Sequence, residues 1–272
     1  MSSRVRLDAE LVRRGLARSR EQAAELISGG RVAVAGLTAG KPATQVARDV
    51  PITVSEDSGP SYVSRGGHKL AGALEAFAGL TVAGRRCLDA GASTGGFTDV
   101  LLRAGAGHVV AVDVGYGQLA WSLRNDPRVT VLERVNVREL RPEQVAGPPG
   151  AQVPPPGLVV ADLSFISLAI ALPALVRCAA PDADFVLLVK PQFEVGKGRV
   201  GPGGVVRDPA LRAGAVAAVA NAAAGHGLGV AGVTASPLPG PAGNVEYFLW
   251  LRRGAPPLDH SELDQAIASG PQ

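Results

Sequence analysis

Residues 87–99 read Cys-Leu-Asp-Ala-Gly-Ala-Ser-Thr-Gly-Gly-Phe-Thr-Asp, a short apolar run that ends in an acid and breaks into glycines. The chain turns through Gly91, Gly95 and Gly96, after which Phe97, Val100, Leu101 and Leu102 recur at helical spacing. A strand, a tight loop and a helix are predicted. Glycine accepts positive φ and leaves bare backbone against which a ligand can lie, so the loop suits ligand binding. The spacing is not Gly-x-Gly-x-x-Gly, and the absence of a following Gly-Lys-Ser/Thr excludes a Walker phosphate loop.

The next strand is predicted at His108–Asp113. Asp113 closes it about 20 residues beyond the glycines, where doubly wound nucleotide sites place a ribose-binding carboxylate. An adenosine-bearing ligand is implied, the alternative being an ordinary turn with an exposed acid. Further strands are predicted at 129–133, 158–163, 185–189, 230–235 and 245–251, with Ala-rich helical stretches between them, notably 168–178 and 212–224. This alternation argues for an α/β fold, a doubly wound and mostly parallel sheet of Rossmann type covered on both faces. Residues 143–157, dense in Pro and Gly, read as a surface loop. Residues 194–209, with Lys197, Arg199 and Arg207, read as a mobile basic lid or a plain connection.

Hydrophobic residues make up 46% of the 272 but aromatics only 4%, so the core must be built of Val, Leu and Ala. Cys87, Cys178 and four scattered histidines give neither a disulfide framework nor metal-ligand spacing; no metal is expected. With no run of about 18 apolar residues and no apolar leader, a cytoplasmic protein without membrane spans is expected. The net charge of +3 is uneven: residues 1–50 hold nine Lys or Arg and five Asp or Glu. That local excess fits a polyanion partner or a solvated face.

The basic stretch carries two predicted helices, Leu7–Leu16 and Arg20–Ser28, the second with a Ser19/Gln22 capping box and a Gly29-Gly30 stop. Strands are predicted at 31–35 and 52–54, giving a small α+β module. Residues 56–60 read as a linker, and a helix is predicted from Lys69 to Phe77. A lysine at a helix N-terminus opposes the dipole unless an anion faces it. The expected organisation is a small N-terminal domain with linker over 1–59, a large domain over 60–254 and a C-terminal tail over 255–272.

Three charged residues stand at predicted strand ends. Asp162 closes Leu-Val-Val-Ala-Asp, Lys190 closes Phe-Val-Leu-Leu-Val-Lys, and Glu246 opens the last strand. A lysine after an apolar strand is costly to bury alone. Asp162 and Glu246 would neutralise it, either as a structural ion pair or as part of a site.

At this point the chain resembles known families. The residues Arg-Gly-Leu-Ala-Arg-Ser-Arg-Glu-Gln-Ala (14–23), Ile-Ser-Gly-Gly-Arg-Val (27–32) and Lys41-Pro42 resemble the alpha-L RNA-binding module, with Ala35-Gly36 where an Asn-Gly turn would be typical. Ser64-Arg-Gly-Gly-His-Lys-Leu, the 89–99 loop, Asp113-Val-Gly-Tyr-Gly-Gln-Leu, Ala161-Asp-Leu-Ser-Phe-Ile-Ser, Val189-Lys-Pro-Gln-Phe-Glu and Asn244-Val-Glu-Tyr resemble the FtsJ/RrmJ-type RNA 2′-O-methyltransferases. From Arg6 to about Arg252 the chain is similar to the TlyA family of rRNA cytidine-2′-O-methyltransferases, also called hemolysins.

The resemblance implies S-adenosyl-L-methionine as cofactor, ribosomal RNA as partner and a catalytic tetrad of Lys69, Asp162, Lys190 and Glu246. It assigns Gly91, Gly95, Gly96 and Asp113 to the cofactor, with Asp89 and Thr94 as helpers and Asn136 either bordering the adenine or serving as a turn residue. Arg13, Arg14, Arg18, Arg20, Arg31, Lys41 and Arg65 are the expected RNA contacts. The N-terminal module points to the longer form of the family, which modifies both 16S and 23S rRNA. Whether Lys190 acts as a base or as a steering cation stays open. The other functions weighed are a membrane-lytic hemolysin, a ribosome-assembly factor without turnover, and a base methylase, the last lacking its Asn/Asp-Pro-Pro-aromatic motif.

Overall fold

The protein is seen here as a computed structural model that describes residues 4–28, 31–54, 62–147, 153–196 and 198–271. It divides into two units, Met1–Arg65 and Gly66–Gln272, each built around its own core.

The first unit runs β1 (Arg4–Arg6), α1 (Leu7–Arg13), α2 (Arg20–Ser28), β2 (Val32–Val34), β3 (Leu37–Thr38), β4 (Gln45–Ala47) and β5 (Ile52–Val54). Strands β1 and β4 pair antiparallel, and β3, β2 and β5 form an antiparallel sheet in that order. Leu7 and Leu11 from α1 and Ala23 and Ile27 from α2 bury against Val32 and Val46, as the helical spacing of these apolar residues requires. The Ser19 hydroxyl accepts from Gln22 N at 3.2 Å, the expected start of α2. Helix α1 stops at Arg13, short of Leu16, because Gly15 turns at φ +71°. Strands β1, β3 and β4 escaped the sequence, being two or three residues long with no period to read. The expected Gly29-Gly30 stop and the 56–60 linker lie outside the described residues.

The second unit runs α3 (Arg65–Ala76), β6 (Arg86–Ala90), α4 (Gly96–Arg103), β7 (His108–Asp113), α5 (Trp121–Arg124), β8 (Val129–Glu133), α6 (Pro142–Val145), β9 (Leu158–Ala161), α7 (Leu168–Cys178), β10 (Asp184–Val189), α8 (Pro191–Glu194), α9 (Pro209–Ala224), β11 (Leu228–Ala235), β12 (Tyr247–Arg253) and α10 (His260–Ser269). Its seven-stranded sheet has the order β11-β12-β10-β9-β6-β7-β8. Only β12 runs antiparallel to its neighbours. Val110, Val159, Leu172, Leu175, Leu187, Val216 and Leu249 belong to a core of small aliphatic residues. The strand order reverses between β6 and β9, which form the topological switch point where open α/β sheets bind ligands.

Several expectations change. The 255–272 segment is more than a tail: it carries α10, whose Leu263 and Ala266 are buried in the main core. The signal was there in Asp259, which caps Ser261 N at 2.7 Å. Helix α9 begins at Pro209 because Asp208 caps it. Helix α3 begins at Arg65, so Lys69 sits in its second turn and not at its N-terminus. Glu246 precedes β12 by one residue.

Candidate active site

The loop 91–95 leaves the end of β6 at the switch point, and its glycines are dictated by neighbours as well as by φ. Gly91 has φ +86°, and a Cβ there would lie 2.5 Å from the carbonyl oxygen of Asp162. Gly95 has φ +101°, and a Cβ there would strike Leu123 Cδ1 at 2.3 Å. The loop thus packs against β9 on one side and α5 on the other, with Gly96 buried at the start of α4. Thr94 is exposed, its carbonyl accepting from Ala120 N at 3.1 Å.

Asp113 ends β7, and its carboxylate is already engaged. Its Oδ2 accepts from Ser93 N at 2.8 Å and its Oδ1 from Gly115 N at 2.6 Å. This draws the glycine loop and the β7–α5 loop together, with Ser93 held at φ +48°. Ala92, Ser93, Asp113, Gly115, Gln118, Leu119 and Glu133 line a small cavity there. Glu133, at the end of β8 opposite Asp113 in register, accepts from Gly117 N at 2.7 Å; sequence reasoning did not single it out. Asn136 is exposed and caps a 3-10 turn by accepting from Arg138 N at 3.1 Å.

Asp89 is fully buried beneath the loop. Its Oδ2 accepts from Thr98 Oγ1 at 2.6 Å, and its Oδ1 has no hydrogen-bond partner. Burial is the first cause that pushes its carboxyl up to about 7, with the charge of Asp162 adding to it. It supports the loop from behind and is not displayed to solvent.

Beyond the switch point, four charged residues form two pairs. Lys190 Nζ lies 2.5 Å from Asp162 Oδ1, an ion pair without the alignment of a hydrogen bond, and donates to Ser164 Oγ at 3.0 Å. Lys69 Nζ donates to Glu246 Oε2 at 2.5 Å, with both side chains buried. Buried in the second turn of α3, Lys69 is thus neutralised by a buried carboxylate, as a lysine out of water requires. Val189 pairs with Tyr247 across the antiparallel β10–β12 register, so the next residues outward, Lys190 and Glu246, are brought to the same edge. Glu246 Oε1 is buried without a partner, and Gly240 is glycine because a Cβ would meet that oxygen at 2.5 Å.

Two further residues hold this edge in place. Asn244, 1% exposed, accepts from Val206 N at 2.9 Å and donates to Gly204 O at 2.8 Å. Arg212 Nε also donates to Val206 O at 2.9 Å. The end of the segment expected to be a mobile lid is therefore tethered, with Val205 and Val206 buried and Arg199 and Arg207 exposed; Lys197 lies outside the described residues. Ser164 and Asn244 were missed as site residues because their partners are remote in sequence, although both lie inside the quoted motifs. Phe165 is 91% exposed at φ +65°, its ring 5.3 Å from that of Phe193. A bulky residue held there is strained.

A larger cavity, about 580 Å³, lies between the end of α3, β11, Trp250 and α10. None of the strand-end charges lines it.

In the first unit, the expected RNA contacts differ in availability. Arg14 donates to Glu10 Oε1 at 2.8 Å, Val50 O at 2.8 Å and Arg48 O at 2.7 Å, which makes it a clamp of the fold. Arg13 pairs with Glu10 at 2.5 Å, and Arg20 with Asp8 at 3.0 Å, both arginine side chains remaining half exposed. Arg18 and Lys41 are exposed, and Arg31 and Arg65 are half-buried.

The matches to known families follow this division. Residues 62–253 match the FtsJ-like methyltransferase model and residues 5–50 the S4 domain. The chain is therefore an FtsJ-like methyltransferase joined to an S4 domain. It is 69% identical over 252 residues to the 16S/23S rRNA (cytidine-2′-O)-methyltransferase TlyA of Mycobacterium tuberculosis, covering 93% of this chain and 91% of the relative. It is 37% identical to Hemolysin A of Brachyspira hyodysenteriae over 90% of this chain and 98% of that one. A solved hemolysin-named structure from Streptococcus thermophilus superposes with a TM-score of 0.75 at 36% identity, covering 98% of this chain and 96% of the other. Within its class, the chain belongs to the TlyA family.

Proposed function

We propose that the protein methylates the ribose 2′-hydroxyl of cytidine in 16S and 23S ribosomal RNA, with S-adenosyl-L-methionine as donor, and that it works in the cytoplasm. The observation that carries this reading is the pair of lysine–acid contacts at the carboxyl edge of the sheet, one of which abuts the glycine loop through Gly91 and Asp162. The name of the 69% identical relative supplies the substrate.

The residues fit the cofactor. A loop packed by glycines at 91 and 95 at the switch point, a strand-end carboxylate at Asp113 and small flanking residues are the residue types an adenosine moiety needs. Gly91, Thr94, Gly95, Gly96 and Asp113 would hold it, Asn136 would border the adenine, and Asp89 would fix the loop from below. Bound there, S-adenosyl-L-methionine supplies an electrophilic methyl group on a sulfonium.

The chain's own task is to make a weak nucleophile reactive and aim it. A ribose hydroxyl keeps its proton at neutral pH, so its oxygen needs a group that takes the proton or offsets the developing negative charge. Lys190 Nζ, fixed between Asp162 and Ser164, fills that role. Lys69 and Glu246, both buried, form a fixed ion pair beside it that orients this edge. Orientation of this kind contributes several kcal/mol, on the order of 7 to 11 at best. Phe165 offers an exposed ring beside this edge on which a base can stack.

Mapping 2′-O-methyl groups on rRNA from cells with and without the protein tests the reading, alongside transfer of labelled methyl in vitro. Loss of one or more 2′-O-methylcytidines is expected. Label on a base, or RNA binding with no transfer, would replace the reading with base methylation or with an assembly role.

A further inference from the structure

The buried acids of the first unit gather arginines in two different ways. Asp8 is 4% exposed. Its Oδ1 accepts from Arg6 Nε at 3.1 Å and from Ala9 N at 2.8 Å. Its Oδ2 accepts from Arg6 Nη2 at 2.8 Å and from Arg20 Nη2 at 3.0 Å. Two guanidiniums from β1 and α2 thus meet on one carboxylate oxygen, their Nη2 atoms under about 6 Å apart, yet the side chains of Arg6 and Arg20 remain 46% and 56% exposed. Left to themselves, like charges at that distance would repel and swing apart on long, flexible stems.

Glu10 is the internal contrast. It binds Arg13 and Arg14, but Arg14 turns inward to the carbonyls of Arg48 and Val50. In that group Arg14 closes on the fold and only Arg13 stays half exposed, whereas both arginines of the Asp8 group face outward. Arg20 meets Asp8 through Nη2, and its side chain remains 56% exposed. Guanidinium forks match phosphate oxygens in geometry as well as charge.

We propose that Asp8 is a positioning residue for RNA, holding Arg6 and Arg20 side by side as a clasp for a backbone phosphate. This rests on the reading of the first unit as RNA-binding. The acid is counterintuitive in a polyanion site: its negative charge weakens long-range attraction, while its placement of two forks strengthens contact. The two effects have opposite signs, and that makes the proposal testable.

The test uses the full chain and, as probe, 16S and 23S rRNA from cells lacking the protein, with affinity measured over a range of salt. Asp8→Asn raises the net charge by one. Simple electrostatics predicts tighter binding; the clasp predicts binding about three- to tenfold weaker and a shallower salt slope. Methyl transfer should show a raised KM for RNA with kcat unchanged. In an Arg6→Ala/Arg20→Ala background, Asp8→Asn should cost almost nothing more, because both partners it positions are gone.

Arg20→Lys guards against loss of fold, since it leaves Asp8 and the net charge intact while removing the fork. It should weaken binding nearly as much as Arg20→Ala. Wild-type affinity for a folded Asp8→Asn, or for Arg20→Lys, overturns the proposal. If Arg18→Ala and Arg20→Ala both leave affinity unchanged, the RNA-binding reading of the unit falls first, which separates that failure from failure of the clasp.

Discussion

Lys190 and Asp89 show how differently two buried charges can be used within one site. Lys190 is held by an acid and a hydroxyl at a strand end, so Lys190→Ala should abolish methyl transfer by two to three decades, about 3 to 4 kcal/mol, with cofactor affinity nearly intact by calorimetry. Full activity would reduce it to a structural ion-pair member. Asp89 is instead a carboxyl pushed up to about 7, chiefly by burial. Its folded pKa exceeds the unfolded value near 4. Between those values the folded state keeps a proton that the unfolded state has lost, so this contribution to stability is complete below about pH 4 and is lost as pH rises to about 7. Across about three units the loss is at most about 4 kcal/mol. Asp89→Asn retains an acceptor for Thr98, and its denaturant stability should be flatter between pH 4 and 7 than that of the parent. Identical pH profiles would show that Asp89 is not protonated in the fold. The sequence marked both residues because each ends an apolar strand. It did not mark Ser164 or Asn244, because a polar residue in a loop gives no sign of a partner 26 or 38 residues away.

Between residue and molecule, the long elements were legible and the short ones were not. Strands β7 and β8 and helices α2 and α7 fall where periodicity puts them, because each sustains its pattern for four residues or more. The β2–β3 hairpin is two or three residues a side, and its identity lies in its turn. Ala35 at φ +51° followed by Gly36 at φ +82° gives consecutive left-handed residues, as a type I′ turn requires. The side chain of alanine makes that conformation cost roughly 1 kcal/mol. Ala35→Asn should therefore stabilise the first unit by about 0.5 to 1 kcal/mol, visible as a higher melting temperature or greater protease resistance of that unit. No change would mean that the contact from Ala35 N to Pro51 O, and not the turn, sets the hairpin. The Asn244 clamp acts at the same scale. Asn244→Ala leaves Val206 N and Gly204 O without their side-chain partner, at a cost of about 1 to 3 kcal/mol, and should release residues 201–206 to faster hydrogen exchange while lowering kcat through its neighbour Glu246. Unchanged exchange would assign the tether to Arg212 alone.

In the whole molecule, charge and chemistry are divided between the two units. The first 50 residues, with nine Lys or Arg against five Asp or Glu, carry a larger net positive charge than the whole chain's +3, whereas the second unit contains the glycine loop, Asp113 and both lysine–acid pairs. Their cores are separate clusters, which gives each unit its own apolar burial, the main source of folding stability. RNA phosphates bound by arginines release counterions, so affinity should fall steeply with salt, and Arg18→Ala should reduce the slope by roughly one unit or less. Cofactor affinity should not change in that variant. A chain beginning near Tyr62 should bind S-adenosyl-L-methionine with near-parental affinity, since Gly91, Gly95 and Asp113 all remain. It should methylate rRNA poorly, because folded RNA is recognised through shape and backbone contacts spread over a wide surface, and the exposed arginines of the first unit are gone. Equal rates for the truncated and full chains at physiological salt would make the first unit an accessory, and would require a partner other than rRNA for its basic surface.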